Sequence, residues 1–290
     1  MHSTDKSGPQ TGLLKTHGAR SAMRIAVGVF AFVLLAATGY AQTNQDGERM
    51  EGQISFGFDG QDYNAGQTSR VGSIAATVRL LRRLTLQAVA TGGNYFGDGF
   101  AGGGAYVTMR PDAKTFLTVG GSRNSNTHTT VAWSGLLGAG RAVYQSPRGA
   151  VRGLEVDCNL TGRGYDLSPS TRILLLDPDV VVYFPRDWLV TLRAGAIRTT
   201  AGGARLWTPS GGAKLSVPLT RRLIISPAVA FDSELFDVLQ IKNTSSRQFG
   251  VSSRFWLTSR TTVDAYYFRV LYGTNHLASS VYGVSYAVRF

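Results

Sequence analysis

Between Gly153 and Arg163 the chain reads GLEVDCNLTGR, and its apolar and polar residues alternate one for one. Leu154, Val156, Cys158 and Leu160 fall on one face of an extended strand, while Glu155, Asp157, Asn159, Thr161 and Arg163 fall on the other. A strand whose second face is this polar cannot bury both faces in an oily core. The segment RQFGVSSRFWL repeats the pattern, with Phe249, Val251, Phe255 and Leu257 set against Gln248, Gly250, Ser252 and Arg254. The chain ends on VYGVSYAVRF, where Phe290, Val288, Tyr286, Val284 and Tyr282 share a face opposite Arg289, Ala287, Ser285 and Gly283. Other segments are less regular: VDAYYFRV mixes both faces, and GLLGAGRAVY is almost all small or apolar.

Six turn-like clusters punctuate these strands: LLRRL, RPDAK, QSPRG, FPRDW, PLTRR and LTSRT. They recur about every 30 to 40 residues, the length of an outgoing strand, a loop and a returning strand. Between them lie more polar or glycine-rich stretches, among them FGDGFAG, RNSNTHT, YDLSPSTR, TTAGGARLW and DSELFDVLQIKNTSS. Short turns on one rim with longer loops on the other, and strands of about ten residues, predict an all-β chain. The expected fold is a transmembrane antiparallel up-and-down β-barrel of about 14 strands, with about 12 as the alternative count. The barrel is expected to occupy 51–290, and an even strand number puts both ends in the periplasm.

Composition supports that architecture. Glycine is abundant at 35 residues, and mean hydropathy is -0.03, a balance expected of alternation and not of long apolar blocks. The long apolar run is IAVGVFAFVLLAATGYA, preceded by Arg20 and Arg24 and followed by a small-x-small cut site at Gly39 and Ala41. It predicts a secretory signal peptide over 1–41, with Met23 as the natural start, Gln42 as the new N-terminus and 42–50 as a short periplasmic lead. The location this implies is the bacterial outer membrane. The one cysteine, Cys158, excludes an intrachain disulfide, a CxxC redox motif and cysteine-based zinc spacing.

The order AYVTMRPDAKTFLTVGGS, AGRAVYQSPRGAVRGLEVD, DVVVYFPRDWLVTLRAGA, SVPLTRRLIISPAVAFDSE and VYGVSYAVRF resembles the YaiO-type family of bacterial outer-membrane β-barrels over roughly 102–290. That resemblance implies an envelope barrel with no assigned enzyme activity or ligand site. The helical repeats that precede the barrel in some members have no counterpart in the nine residues QTNQDGERM.

Candidate chemistry is sparse. After the predicted cut only His128 and His276 remain, both in expected outer loops. A barrel lipid deacylase would place Ser two residues after a strand His, but Thr130 and Ala278 stand there. Carboxylates are better placed: Glu155 and Asp157 should face the lumen beside Asp177 and Asp179, with Arg193 on the following strand and Arg141 on the preceding one. The expected register sets Asp157 opposite Asp179, and Asp179 opposite Arg193. Such a set fits either an ionic network on the wall of a hydrated channel or, less simply, a carboxylate pair for acid–base chemistry. No catalytic constellation, metal site or cofactor motif emerges from the sequence.

Loss of the leader removes Lys6, Lys15, Arg20, Arg24 and Asp5, which lowers the net charge from +12 to +9. Many remaining arginines sit in the short turns, separated by strands, so a nucleic-acid surface is not expected and contact with anionic lipid headgroups is. The expected partners are outer-membrane lipids and lipopolysaccharide, with small solutes or polysaccharide as cargo. The function expected is that of a monomeric, porin-like pore or envelope-surface component. The alternative is a barrel enzyme or binder acting on lipid, lipopolysaccharide or exported polysaccharide. Phe290, Val288, Tyr286 and Val284 resemble the C-terminal signal by which the barrel-assembly machinery recognises its clients.

Overall fold

The computed structural model describes residues 51–125, 130–166, 170–231, 246–273 and 277–290. The predicted leader and lead, and the two candidate histidines, lie outside the described residues. Fourteen strands follow in order: β1 (Glu51–Tyr63), β2 (Thr68–Leu81), β3 (Leu84–Tyr95), β4 (Asp98–Met109), β5 (Thr115–Asn124), β6 (Trp133–Gln145), β7 (Gly153–Tyr165), β8 (Thr171–Tyr183), β9 (Leu189–Ala201), β10 (Ala204–Thr220), β11 (Leu223–Phe231), β12 (Ser246–Trp256), β13 (Thr261–Tyr272) and β14 (Ala278–Arg289). Each pairs antiparallel with its sequence neighbours, and β1 pairs with β14 to close the barrel. Closure follows from the unpaired N–H and C=O groups that an open edge would leave in hydrocarbon, at several kcal/mol each.

Alternation sorts side chains to two surfaces. Phe56, Ile74, Val119, Leu137, Leu192 and Phe249 point outward from six different strands and are exposed. An apolar belt of that extent is far larger than the patches that soluble monomers leave in water. Inward positions carry Asp, Glu, Arg, Ser, Thr, Tyr and Gly.

The strands run further than the polar stretches suggested. The expected loop FGDGFAG reduces to a two-residue turn at Phe96 and Gly97, both with positive φ (54° and 92°), and TTAGGARLW reduces to Gly202 and Gly203 (55° and 86°). Two left-handed residues form the tight turn whose twist matches that of paired strands, so the flanking polar residues continue the ladder. Loop length therefore separates the two rims less than expected among the described residues. A different asymmetry does separate them. The register shifts at Arg79/Leu81, Ala142/Tyr144 and Pro218/Thr220 all lie at the rim that carries both termini.

The C-terminal residue completes the seam. Phe290 and Gly52 exchange both backbone hydrogen bonds, N–H to C=O, at 3.0 Å each. The Phe290 ring lies across Gly52 so closely that a Cβ there would stand 2.5 Å from its Cζ. Val284 and Tyr286 point outward and are exposed, and Val288 lies on the same face opposite Ile54.

Candidate lumen site

Strands β7, β8 and β9 place the charged cluster. Asp157 lies opposite Asp179, and Asp179 opposite Arg193. Arg193 donates from Nε to Asp179 Oδ1 at 2.8 Å and from Nη2 to Oδ2 at 3.1 Å, a bidentate fork that fixes both partners. The Asp179 side chain is only 11% exposed while that of Arg193 is 51% exposed, so the carboxylate sits against the wall and the guanidinium looks into open lumen. Glu155 accepts a hydrogen bond from the Tyr183 hydroxyl at 3.4 Å. Asp157 lies over Gly140, beside the Phe116 ring, and its Oδ1 has no hydrogen-bond partner. Asp177 lies in the same way over Gly195, whose Cβ would stand 2.7 Å from its Oδ1. Small residues on the adjoining strand make room for each carboxylate.

Arg141 does not belong to this set. It stands opposite Val156, on the outer face, and is exposed. The register shift between Ala142 and Tyr144 inserts one residue into β6, which inverts the face of everything counted from the turn. GLLGAGRAVY has no alternation of its own that could have revealed this. Arg141 instead acts near the β4–β5 turn. There the backbone N–H groups of Lys114 and Thr115 hydrogen-bond to Asp112 at 2.7 Å each and hold its carboxyl below the usual range, with a smaller contribution from the Arg141 charge.

Three lumen features were not anticipated. Arg254 and Asp264 form a second bidentate pair, at 2.6 and 3.2 Å, between β12 and β13. Asp264 sits in VDAYYFRV, whose mixed faces concealed it. Asp59 accepts a hydrogen bond from the Tyr266 hydroxyl, which reaches across Gly283. At the opposite end from the chain termini, Tyr165, Ile173, Leu175 and Ile197 form a buried apolar cluster inside the barrel, with Val131 packed against it. The run ILLLD is apolar on both faces, which is the one signal in the sequence that the lumen is not polar throughout.

Between these groups a cavity of about 420 Å³ spans the barrel from β1 to β7–β9 and β12–β13, lined among others by Gln61, Arg163, Asp177, Arg193, Gln248 and Tyr272. Among the described residues no group of His, Cys, Asp and Glu is arranged to hold a metal ion.

No family model matches the chain, and no curated protein does. Solved structures are similar to it in fold. An anion-selective porin from Comamonas acidovorans is 10% identical, with a TM-score of 0.46, and the match covers 83% of this chain and 98% of the porin. A bacterial polysaccharide outer membrane secretin is 11% identical, with a TM-score of 0.49, over 83% of this chain and 98% of that one. The toluene transporter TodX of Pseudomonas putida is 7% identical, with a TM-score of 0.43, over 83% and 88% respectively. All are β-barrels of the outer-membrane kind, and the likeness is one of fold alone.

Proposed function

We propose that this chain is a bacterial outer-membrane β-barrel of the YaiO type that acts as a narrow water-filled pore. The observation that carries the reading is the contrast between its surfaces. The outer face is an exposed apolar belt, whereas the inner face keeps ionised side chains half open to a cavity, as Arg193 does at 51% exposure. The motifs VYQSPRG and PLTRRL, which carry the family resemblance, fall at the β6–β7 and β10–β11 turns, on the rim that bears the termini. That rim would face the periplasm. Asp179 engages both carboxylate oxygens with Arg193, which leaves it poorly placed to share a proton with Asp157, so the geometry favours a wall network over acid–base chemistry.

The lumen wall mixes both signs, with the carboxylates of β7 and β8, Asp59 and Asp264 set against Arg163, Arg193, Lys214 and Arg254, so ion preference should be weak and set by the basic rim. Purified barrel added to a planar bilayer should give discrete conductance steps that grow with salt concentration. A barrel that inserts, as shown by heat-modifiable migration, yet stays electrically silent would overturn the pore.

A further inference from the structure

The outer face of the barrel concentrates its arginines at one level. Arg70 on β2, Arg123 on β5, Arg172 on β8, Arg198 on β9, Arg247 on β12 and Arg269 on β13 lie within the last four residues of their strands at the rim away from the termini. Register places each on the outer face: Arg70 opposite Gly60, Arg123 opposite Trp133, Arg172 opposite Gly164, Arg198 opposite Trp207, Arg247 opposite Phe231 and Arg269 opposite Ser280. On the described strands the matching position at the other rim is held by Arg141 alone. The arginines of that rim otherwise sit in turns or point inward.

The collar stands immediately above the apolar belt and is interleaved with aromatics. Arg198 lies over the Trp207 ring at 5.8 Å and Arg70 over the Tyr282 ring at 5.6 Å, which holds these guanidinium groups at the belt's upper edge. One carboxylate of the described strands shares this face, Asp62, and it is already bound to Arg70 at 2.7 Å. Arg198 keeps a buried Nε donor with no partner.

We infer that this collar binds the phosphate groups of glycolipids in the surrounding outer leaflet. A ligand that suits it must offer anionic oxygens in the arginine plane and acyl chains directly below, against Phe58, Ile74, Leu137 and Leu160. A phosphorylated, acylated sugar meets both demands at once, and a free anion meets only the first. The inference rests on the membrane-spanning reading given above.

The test uses full-length mature barrel in detergent, titrated with diphosphoryl lipid A, with the same lipid stripped of phosphate, and with inorganic phosphate, and read by the midpoint of heat-induced loss of the folded gel band. Diphosphoryl lipid A should raise the midpoint while the other two leave it unchanged. The variant Arg172→Gln/Arg198→Gln/Arg269→Gln should bind at least about tenfold more weakly, since three charge-assisted contacts are removed. Arg82→Gln/Arg221→Gln, in the turns of the opposite rim, should bind as the parent does. Equal shifts with phosphorylated and stripped lipid, the same shift with inorganic phosphate, or unaltered binding by the triple variant would each overturn the collar. Failure of the parent to insert into lipid vesicles would instead bring down the membrane reading, so the two failures are separable.

Discussion

The seam between β1 and β14 permits a prediction whose sign reverses with context. Replacing Gly52 with Ala places a methyl group 2.5 Å from Cζ of Phe290, where carbon atoms normally stand about 3.5 to 4 Å apart, so the ring must swing by more than 1 Å. Overpacking of this kind costs about 1 to 3 kcal/mol. The displaced residue is also the one that exchanges two 3.0 Å backbone hydrogen bonds with Gly52, so the cost falls on closure itself. In a chain that already carries Phe290→Ala, the ring is gone, and with it the three atoms that crowd the same Gly52→Ala change. There it should stabilise by about 0.5 to 1 kcal/mol, because alanine loses less conformational freedom than glycine in a strand. Urea unfolding of refolded barrels in lipid vesicles, followed by the heat-modifiable gel shift, measures all four chains of this cycle. If Gly52→Ala has the same effect in both backgrounds, the ring does not lie where the seam requires it.

Other consequences can be checked separately. Deleting Phe290 removes both last seam hydrogen bonds and the terminal aromatic, and should sharply reduce heat-modifiable barrel in outer-membrane fractions; normal levels would refute its role as seam and assembly signal. Arg193→Glu turns a paired cation into an anion beside Asp157, Asp177 and Asp179, and should move the reversal potential of the open channel toward cation preference, with no shift counting against an open lumen at this point. Asp112 has a depressed carboxyl, so its contribution to turn order is full above the ordinary carboxylate range and is lost as pH falls through its lowered value; amide exchange at Thr115 should speed up on acidification in the parent and be insensitive to pH of this origin in Asp112→Asn. Mass spectrometry of envelope protein should find Gln42 at the N-terminus, the plainest check on the predicted cut, and a mature chain that retains 25–40 would contradict it.

What the sequence revealed follows from where its pattern is strong. Fourteen strands and the two faces of β7, β12 and β14 were legible because a period of two is unambiguous when one face meets lipid and the other water. The opposition of Asp157, Asp179 and Arg193 was legible because the connections after β7 and β8 are short and their strands carry no register shift. Arg141 was misplaced for the converse reason, a one-residue bulge in a strand of glycine, alanine and leucine with no polarity to mark its faces. The pair Arg254–Asp264 faces itself across a single hairpin and was hidden only by the mixed faces of VDAYYFRV, the apolar lumen cluster gathers from the consecutive strands β7 to β9, and the arginine collar is dispersed over nearly 200 residues of sequence until the barrel sets it at one height.

The glycines add a further step. Several carry an aromatic ring from the neighbouring strand: Gly60 lies under Tyr282, with a would-be Cβ 2.6 Å from the ring, Gly250 under Phe268 at 2.7 Å, Gly211 under Phe231 at 2.7 Å, and Gly52 under Phe290. Backbone hydrogen bonds do not distinguish the native register from one slipped by two residues, because such a slip keeps each side chain on its own face. A ring seated on a glycine does distinguish them. Slipped by two, Phe268 would meet Gln248 or Ser252 and Tyr282 would meet Phe58 or Asp62, each with a Cβ in the ring's place. Part of the abundance of glycine, which first appeared as a compositional trait, thus serves to fix register where a ring needs the space, and the lock at Gly52 lies on the seam that shuts the barrel.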